Sequence, residues 1–162
     1  MNGEFMPPRR EPKAFEELKI ISEKEFSRYL TEQKLSQEKL KDDFYYVLTF
    51  DGFGPRVDVF EEFNQEYLRI AYIDSNYDEK FKNLYITILN VKPEYRNLGI
   101  GTSLYNYFEE ISPQKFEVNT INGKLDYWTQ HKERERFYSR LGFKLKSEGD
   151  DGIIDTIQKQ IH

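Results

Sequence analysis

The stretch that decides the fold of this 162-residue chain is Val91-Lys92-Pro93-Glu94-Tyr95-Arg96-Asn97-Leu98-Gly99-Ile100-Gly101-Thr102-Ser103-Leu104. A nearly continuous apolar run, residues 84–91, leads into it and predicts a strand that is buried on both faces. The spacing of apolar residues between Leu104 and Ile111 predicts a helix that opens near Gly101. Backbone N–H groups in the connecting turn would then point outward at the positive end of the helix dipole, where an anion can bind.

Two glycines in this turn suit a ligand that approaches the backbone closely, because a Cβ at Gly99 or Gly101 would occupy the ligand's space. Other phosphate-binding motifs fit less well. A dinucleotide fingerprint needs a third glycine where Leu104 stands, and a P-loop needs Gly-Lys-Ser/Thr, which is absent. A bare Gly-x-Gly also occurs in ordinary strand-to-helix turns, so the surrounding residues have to decide.

The rest of the chain is predicted to form short strands and helices. In chain order these are a strand over residues 15–21, helices that begin at Ser22 and at Ser36 (the second ending near Asp42), strands over residues 44–50, 56–63 and 66–74, and a polar loop over residues 75–83. After the central helix follow a strand over residues 116–120, an Asn122-Gly123 turn, and a helix over residues 125–141 that Gly142 ends in the left-handed conformation. A hairpin of residues 143–146 and 153–157, with its turn at residues 148–152, completes the pattern.

Composition limits the class of protein. Aromatic residues make up 16% of the chain, which favours a packed core over disorder. We expect residues 1–14 to be a disordered segment or a remnant of an expression vector, followed by one domain. The chain has no cysteine, which excludes disulfides, cysteine-based metal sites and cysteine nucleophiles. Without an apolar run of about 20 residues or a signal peptide, a soluble cytoplasmic protein with no membrane partner is expected.

The net charge of −5 is unevenly distributed. Residues 44–83 contain 4 basic and 8 acidic side chains, whereas residues 84–162 contain 11 of each. This balance lacks the basic patch of a nucleic-acid-binding protein. Negative potential in the middle segment would attract an ammonium group, or it is ordinary surface charge, and the sequence leaves both interpretations open.

Two blocks of this sequence resemble the GNAT superfamily, the acyl-CoA-dependent N-acetyltransferases. The family signature Arg/Gln-x-x-Gly-x-Gly/Ala, often introduced by Val-x-Pro, matches residues 96–101 after Val91-Lys92-Pro93. A second block, aromatic-Tyr-x-x-Leu-Gly-Phe, matches residues 137–143. The resemblance implies an α/β (α+β) fold of three layers, in which about four helices flank a central mixed, mostly antiparallel twisted sheet of six to seven strands. Residues 15–162 would form the single N-acetyltransferase domain.

The resemblance also implies a reaction: direct transfer of an acetyl group from acetyl-CoA, without a metal, to a primary amine of a small molecule or peptide. The pyrophosphate would bind backbone N–H groups of the turn, the pantetheine arm would pair with the strand edge, and a backbone N–H near Val91 would polarise the acetyl carbonyl. Tyr138 would protonate the departing thiolate, or it is a core tyrosine at a helix end. The implied cofactor-binding residues are Leu89, Asn90, Val91, Arg96, Asn97, Leu98, Gly99, Ile100, Gly101, Thr102 and His131.

Some positions depart from the family pattern. His131 stands where the family often has Asn, and it would replace the hydrogen bond of that Asn, carry a proton, or be a helix-face residue. Arg134 stands in place of a small residue, and would reach the CoA phosphates or lie in a charged run. The central strand has no acid to act as a general base. The nearest candidates by topology are Asp74, Asp78 and Glu79, each of which is otherwise a solvated loop acid.

These departures motivate an alternative hypothesis, a catalytically inactive GNAT-like module that binds CoA or regulates a partner. Acetylation of aminoacyl-tRNA, which some proteins of this fold perform, is disfavoured by the acidic balance. The identity of the acceptor stays open, and so does the oligomeric state, including a homodimer, because one fold serves many acceptors.

Overall fold

The computed structural model describes residues 21–22, 24, 37–41, 44–50, 53–125, 131–147 and 156–162. These residues form nine strands and two α-helices. The strands are β1 (Ile21–Ser22), β2 (Gln37–Lys41), β3 (Phe44–Phe50), β4 (Pro55–Phe63), β5 (Glu66–Asp78), β6 (Asn83–Val91), β7 (Thr120–Lys124), β8 (Lys144–Lys146) and β9 (Thr156–Gln160). The helices are α1 (Ile100–Ile111) and α2 (His131–Arg140), and short 3-10 turns at Pro93–Tyr95 and Ser112–Gln114 flank α1.

The strands form one mixed sheet in the order β2-β3-β4-β5-β6-β7-β9-β8, and β1 pairs with the start of β5. The pair β6–β7 is parallel, and the other pairings in the described part of the chain are antiparallel. Seven of the nine strands have five or more residues. The expected mixed, mostly antiparallel sheet is therefore confirmed.

The expected number of helices is wrong for the described ranges, which contain two α-helices rather than about four. The helix predicted from Ser22 lies almost entirely outside the described residues. The helix predicted from Ser36 to Asp42 is instead strand β2, paired with β3 from Gln37↔Val47 to Lys41↔Phe44. So short a segment gains little from helix formation by itself, and a ladder of hydrogen bonds with an adjacent strand outweighs it.

Two boundaries also differ from prediction because of packing between distant residues. Strand β5 continues into the predicted loop as far as Asp78. Within this extension, the hydroxyl of buried Ser75 donates a hydrogen bond to the Pro55 carbonyl over 2.7 Å. The predicted Asn122-Gly123 turn lies inside β7, which begins at Thr120, so residues 116–119 are not a strand. A Cβ at Gly123 would lie 3.2 Å from the Ile86 carbonyl oxygen, so this glycine lets two strands approach closely rather than forming a turn.

The predicted helix over residues 125–141 is shorter in the structure. Leu125 is buried but not helical, residues 126–130 lie outside the described ranges, and α2 begins at His131. Gly142 ends it with φ of +89°, as predicted, because the left-handed conformation favours glycine. The final hairpin is confirmed by the antiparallel pairing of β8 with β9, although its turn lies outside the described ranges.

The core lies between α1 and the central strands. Side chains from β4, β5 and β6 pack against the apolar face of α1, and Tyr107 of α1 stacks on Tyr46 of β3 with 4.3 Å between ring centroids. The prediction that β6 is buried on both faces is wrong for the second half of the strand. Leu84 and Ile86 are buried, whereas residues 88–91 are half-buried. Among the described residues, no helix has the length and apolar content needed to cross a bilayer.

Candidate cofactor site

Strands β6 and β7 separate in the middle of the sheet. Their parallel pairing runs from Asn83↔Thr120 to Ile86↔Gly123 and then stops. Thr87 forms a bulge at the same place. Asp74 of β5 faces Ile88 and Ser75 of β5 faces Ile86, so Thr87 between them is an extra residue in β6. From the bulge to Val91, β6 pairs with β5 but has no second strand partner among the described residues. This free edge explains why the end of β6 is half-buried.

The backbone direction on this edge follows from the pairing with β5. The Lys92 N–H donates to the Ile70 carbonyl over 2.8 Å, and Ala71 faces Val91 in the register. Because alternate residues of an antiparallel strand bond to the same neighbour, the backbone groups of Leu89 and Val91 point away from β5. The Val91 carbonyl accepts a hydrogen bond from Arg96 Nε over 2.9 Å. The remaining groups of Leu89 and Val91 are oriented to pair with an extended ligand.

The loop between β6 and α1 presents N–H groups beside this edge. Asn97 has φ of +62° and Gly99 has φ of +80°, so the chain makes two left-handed steps before α1 begins. Gly99 is the N-cap, and no side chain caps the helix start. The first N–H groups of α1 have no acceptor within the helix and lie at the positive end of its dipole. Buried Ile100 anchors this turn, while Leu98 and Thr102 are exposed.

The two glycines have different roles, which corrects the expectation that both simply leave room for a ligand. A Cβ at Gly99 would meet nothing within 4 Å, so the positive φ is what favours glycine in the protein itself. A Cβ at Gly101 would lie 3.4 Å from the Phe137 ring and 3.5 Å from Val91 Cγ2. Gly101 therefore lies where α1, α2 and the free edge of β6 meet.

Tyr138 is buried beside this meeting point. Its ring contacts Phe137 and Phe143 edge-on, with centroids 5.1 and 5.3 Å away. Burial raises the pKa of the Tyr138 phenol to about 12, and the positive charge of Arg134, one helical turn earlier, opposes this shift. The phenol is consequently neutral at physiological pH and retains a proton to donate. His131 begins α2, and its side chain lies outside what the structure describes.

The three acids considered as general bases lie at different positions along β5 and the loop that follows it. Asp74 faces Ile88 at the bulge, accepts a hydrogen bond from the Ser75 N–H over 3.0 Å, and lies 3.9 Å from an Arg56 nitrogen. Asp78 accepts hydrogen bonds from the backbone of Lys80 and Phe81 and so shapes the loop after β5. It faces Asn83, eight residues before Val91, or about 26 Å along the strand. Asp74 is therefore the acid of the three near the free edge.

Most of the excess acid in residues 44–83 has partners within the protein. Asp58, almost fully buried, binds Arg56 and Arg69 with closest distances of 3.1 and 3.3 Å. Glu62 accepts a hydrogen bond from the Tyr45 hydroxyl over 2.7 Å, and Glu61 accepts one from Tyr95. These contacts weaken the hypothesis that the segment presents a broad acidic surface to an ammonium group. Asp58 lies between Val57 and Val59 in an apolar strand, a pattern that could have indicated a buried ion pair.

Two further long-range contacts had no clear signal in the sequence. Tyr95, in the loop after β6, bonds to Glu61 of β4. Lys159 of β9 lies 2.8 Å from a Glu109 carboxylate oxygen on α1 and donates to the Leu141 carbonyl at the end of α2 over 2.7 Å. Both join elements far apart in the chain, so no local pattern reveals them. The described residues contain no group of acids and histidines suited to a metal ion.

Comparison with solved structures supports this description of the fold. PaiA N-acetyltransferase from Thermoplasma acidophilum, solved with coenzyme A, is 21% identical, with 65% of this chain and 60% of that chain covered and a TM-score of 0.52. Naa50 from Arabidopsis thaliana, solved with the bisubstrate analogue CoA-Ac-MVNAL, is 19% identical, with 65% and 72% covered and a TM-score of 0.51. The spermidine/spermine N-acetyltransferase SpeG from Vibrio cholerae is 15% identical, with 68% of each chain covered and a TM-score of 0.53.

At these identities the similarity concerns the fold alone. This chain also spans less than two thirds of the PaiA chain. No match was found among curated proteins. The model of the acetyltransferase (GNAT) domain, however, matches residues 58–145, from the middle of β4 to β8. This match covers more than half of the sequence and includes the free edge of β6, the loop and both helices, and the chain therefore belongs to the GNAT acetyltransferase domain family.

Proposed function

We propose that this protein is an N-acetyltransferase that moves an acetyl group from acetyl-CoA to a primary amine of a small molecule or peptide. One observation carries the proposal: the uncapped start of α1 and the free backbone edge of Leu89 and Val91 meet at Gly101, and buried Tyr138 directly follows Phe137, whose ring faces that glycine. The three parts suit the three parts of acetyl-CoA, namely its pyrophosphate, its pantetheine amides and its thioester. PaiA and Naa50, which have the same fold, were solved with coenzyme A or a CoA-containing analogue.

Each part of the site has a chemical task in this proposal. Backbone N–H groups from Asn97 to Thr102 bind the pyrophosphate, because the Arg96 N–H already donates to the Pro93 carbonyl. The outward-facing groups of Leu89 and Val91 bind the pantetheine arm as an added strand, whereas the backbone of Asn90 faces β5. His131 would border this arm at the start of α2. Acetyl-CoA supplies an activated acyl group, whose carbon–sulfur bond breaks as the amine nitrogen bonds to the carbonyl carbon. Tyr138 donates its phenolic proton toward the departing sulfur.

The amine must lose a proton during the transfer. Asp74 is partly exposed at the bulge, with 24% of its side chain accessible, and its carboxylate can hold an ammonium group or accept a proton through water. Arg56 lies 3.9 Å away and competes for this carboxylate. The transfer is direct, since the chain has no cysteine to carry an acyl group.

A catalytically inactive CoA-binding module is the alternative. It is favoured by the absence of any acid on β6, and by the contacts of Asp74 with Arg56 and Ser75. The two functions differ in one measurable product, the free thiol of CoA.

Calorimetry with CoA, followed by thiol release from acetyl-CoA with polyamines, amino acids and peptides as acceptors, tests the proposal. Gly101→Ala should keep CoA binding, since its methyl group would make ordinary contacts, whereas Gly101→Glu should abolish it by filling the junction with a charged side chain. CoA binding without thiol release for any amine would favour the inactive module. Equal CoA affinity in the Gly101→Glu variant would refute the site itself.

A further inference from the structure

We propose that Glu61 and Tyr95 are positioning residues that hold the CoA-pyrophosphate loop in place on the sheet. This inference rests on the proposed function, because it assigns a role to the loop that would bind CoA. The Tyr95 hydroxyl donates a hydrogen bond to Glu61 Oε2, and both side chains are partly buried. Tyr95 lies two residues before Asn97, the first residue of the proposed cradle of N–H groups.

The contact reaches across the sheet. Glu61 lies on β4 and pairs with Leu68 of β5, while Tyr95 follows β6, which lies on the far side of β5. The two residues are 34 positions apart in the sequence. Tyr95 therefore fastens the loop to a strand that is not a neighbour of β6.

Several hydrogen bonds within the loop join residues close in sequence. Arg96 Nε bonds to the Val91 carbonyl, the Tyr95 N–H bonds to the Lys92 carbonyl over 2.8 Å, and the Arg96 N–H bonds to the Pro93 carbonyl over 3.2 Å. These bonds fix the shape of the turn, and the Lys92 N–H bond to the Ile70 carbonyl ties its start to β5, but none of them reaches β4. The loop also includes left-handed Asn97, a conformation that costs free energy in a residue with a Cβ. A long-range anchor keeps its N–H groups aimed before the ligand arrives, which reduces the cost of binding.

The Tyr95 phenol keeps the proton that it donates to Glu61 throughout the physiological pH range. Partial burial, together with the hydrogen bond to Glu61 and the charges of Glu61 and Glu94, raises the pKa of Tyr95 to about 12. The phenol thus remains a donor while its partner is a carboxylate. Hydrogen bonds to charged groups are stronger than those between neutral groups.

The chain contains a matched control one residue away. The Tyr45 hydroxyl donates to Glu62 over 2.7 Å, which is the same chemistry on the same strand. Successive residues of a strand point to opposite faces, so the Glu62 carboxylate lies on the other side of the sheet from that of Glu61. Tyr45→Phe removes a tyrosine–glutamate hydrogen bond without touching the loop.

The experiment measures CoA affinity by calorimetry and the KM and kcat for acetyl-CoA. The proteins compared are the unaltered chain, Tyr95→Phe, Glu61→Leu, Glu61→Gln and Tyr45→Phe. Loss of a charged hydrogen bond should weaken CoA binding by about tenfold in Tyr95→Phe and Glu61→Leu. KM should rise by the same factor while kcat stays within about twofold, because neither side chain touches a reacting atom. Glu61→Gln keeps an acceptor and should restore most of the affinity, and Tyr45→Phe should bind CoA as the unaltered chain does.

Three results would overturn the inference. If the unaltered chain binds CoA and Tyr95→Phe binds it equally well, the pair has no positioning role although the proposed function stands. If Tyr45→Phe weakens binding as much as Tyr95→Phe, the effect is general destabilisation. If the unaltered chain binds no CoA, the proposed function fails and this role fails with it.

Discussion

Replacing Gly99 by alanine separates the conformational need for glycine from the space needed by a ligand. Gly99 has φ of +80°, and a Cβ there would meet no atom of the protein within 4 Å. The loss of stability in the CoA-free protein is therefore conformational, about 1–2 kcal/mol for a left-handed residue with a Cβ. Alanine also restricts the unfolded chain, and this offsets about 0.4–1 kcal/mol of the loss. The free energy of unfolding should therefore fall by about 1 kcal/mol.

Gly142→Ala is the matched control. Gly142 has φ of +89° at the end of α2, and its Cβ would make an ordinary contact 3.5 Å from Lys159 Cε. Urea unfolding of the CoA-free proteins should show a similar loss of stability for both variants. Calorimetry should show that CoA affinity falls more than about tenfold in Gly99→Ala alone, since the new methyl group would occupy space next to the pyrophosphate.

The reasoning has two ways to fail in this experiment. If Gly99→Ala loses stability but binds CoA as tightly as the unaltered chain, the ligand does not approach this part of the backbone. If both variants lose CoA affinity equally, the loss reflects stability and not the cradle.

The further predictions concern Tyr138, Arg134 and Lys159. Tyr138→Phe should lower turnover at least tenfold while CoA affinity stays within about twofold, which calorimetry and thiol release measure separately. Because burial raises the pKa of Tyr138 from 10 to about 12, its contribution to the free energy of unfolding is complete below pH 10 and is lost as the pH rises toward 12. Urea unfolding between pH 8 and 12 should show a decline that is about 2–3 kcal/mol smaller in Tyr138→Phe, which retains Tyr95 with its own raised pKa, and an equal decline in both proteins would contradict the assignment. Arg134→Gln removes the charge that lowers the folded-state pKa of Tyr138, so the decline should still begin near pH 10, where the unfolded phenol titrates, but extend to higher pH and become larger. An unchanged decline would show that the charge does not reach the phenol. Lys159→Met breaks the ion pair with Glu109 and the bond to the Leu141 carbonyl, and should lower the free energy of unfolding by about 1–2 kcal/mol without altering CoA affinity. A stability equal to that of the unaltered chain would mean that solvent replaces both contacts.

Much of the local backbone structure around the candidate site could be predicted from sequence because its signals are local. The glycines of the loop, the apolar spacing of α1 and the closing Gly142 each depend on a few consecutive residues. Errors occurred where distant residues decide. The segment after Ser36 became strand β2 because β3 offers it a ladder, and Gly123 joined β7 because it packs against the Ile86 carbonyl rather than forming a turn.

The sequence by itself determined the family and the glycine-containing turn before α1, and it indicated Tyr138 as a candidate acid, since these are short motifs with fixed spacing. The tertiary structure decided that the edge of β6 is free, that Asp74 rather than Asp78 lies near it, and that Glu61 anchors Tyr95 across β5. Strand pairing and side-chain contacts over tens of residues depend on how whole strands are arranged. A pattern of neighbouring residues does not show which distant residues will meet, because those contacts form only when the whole chain folds.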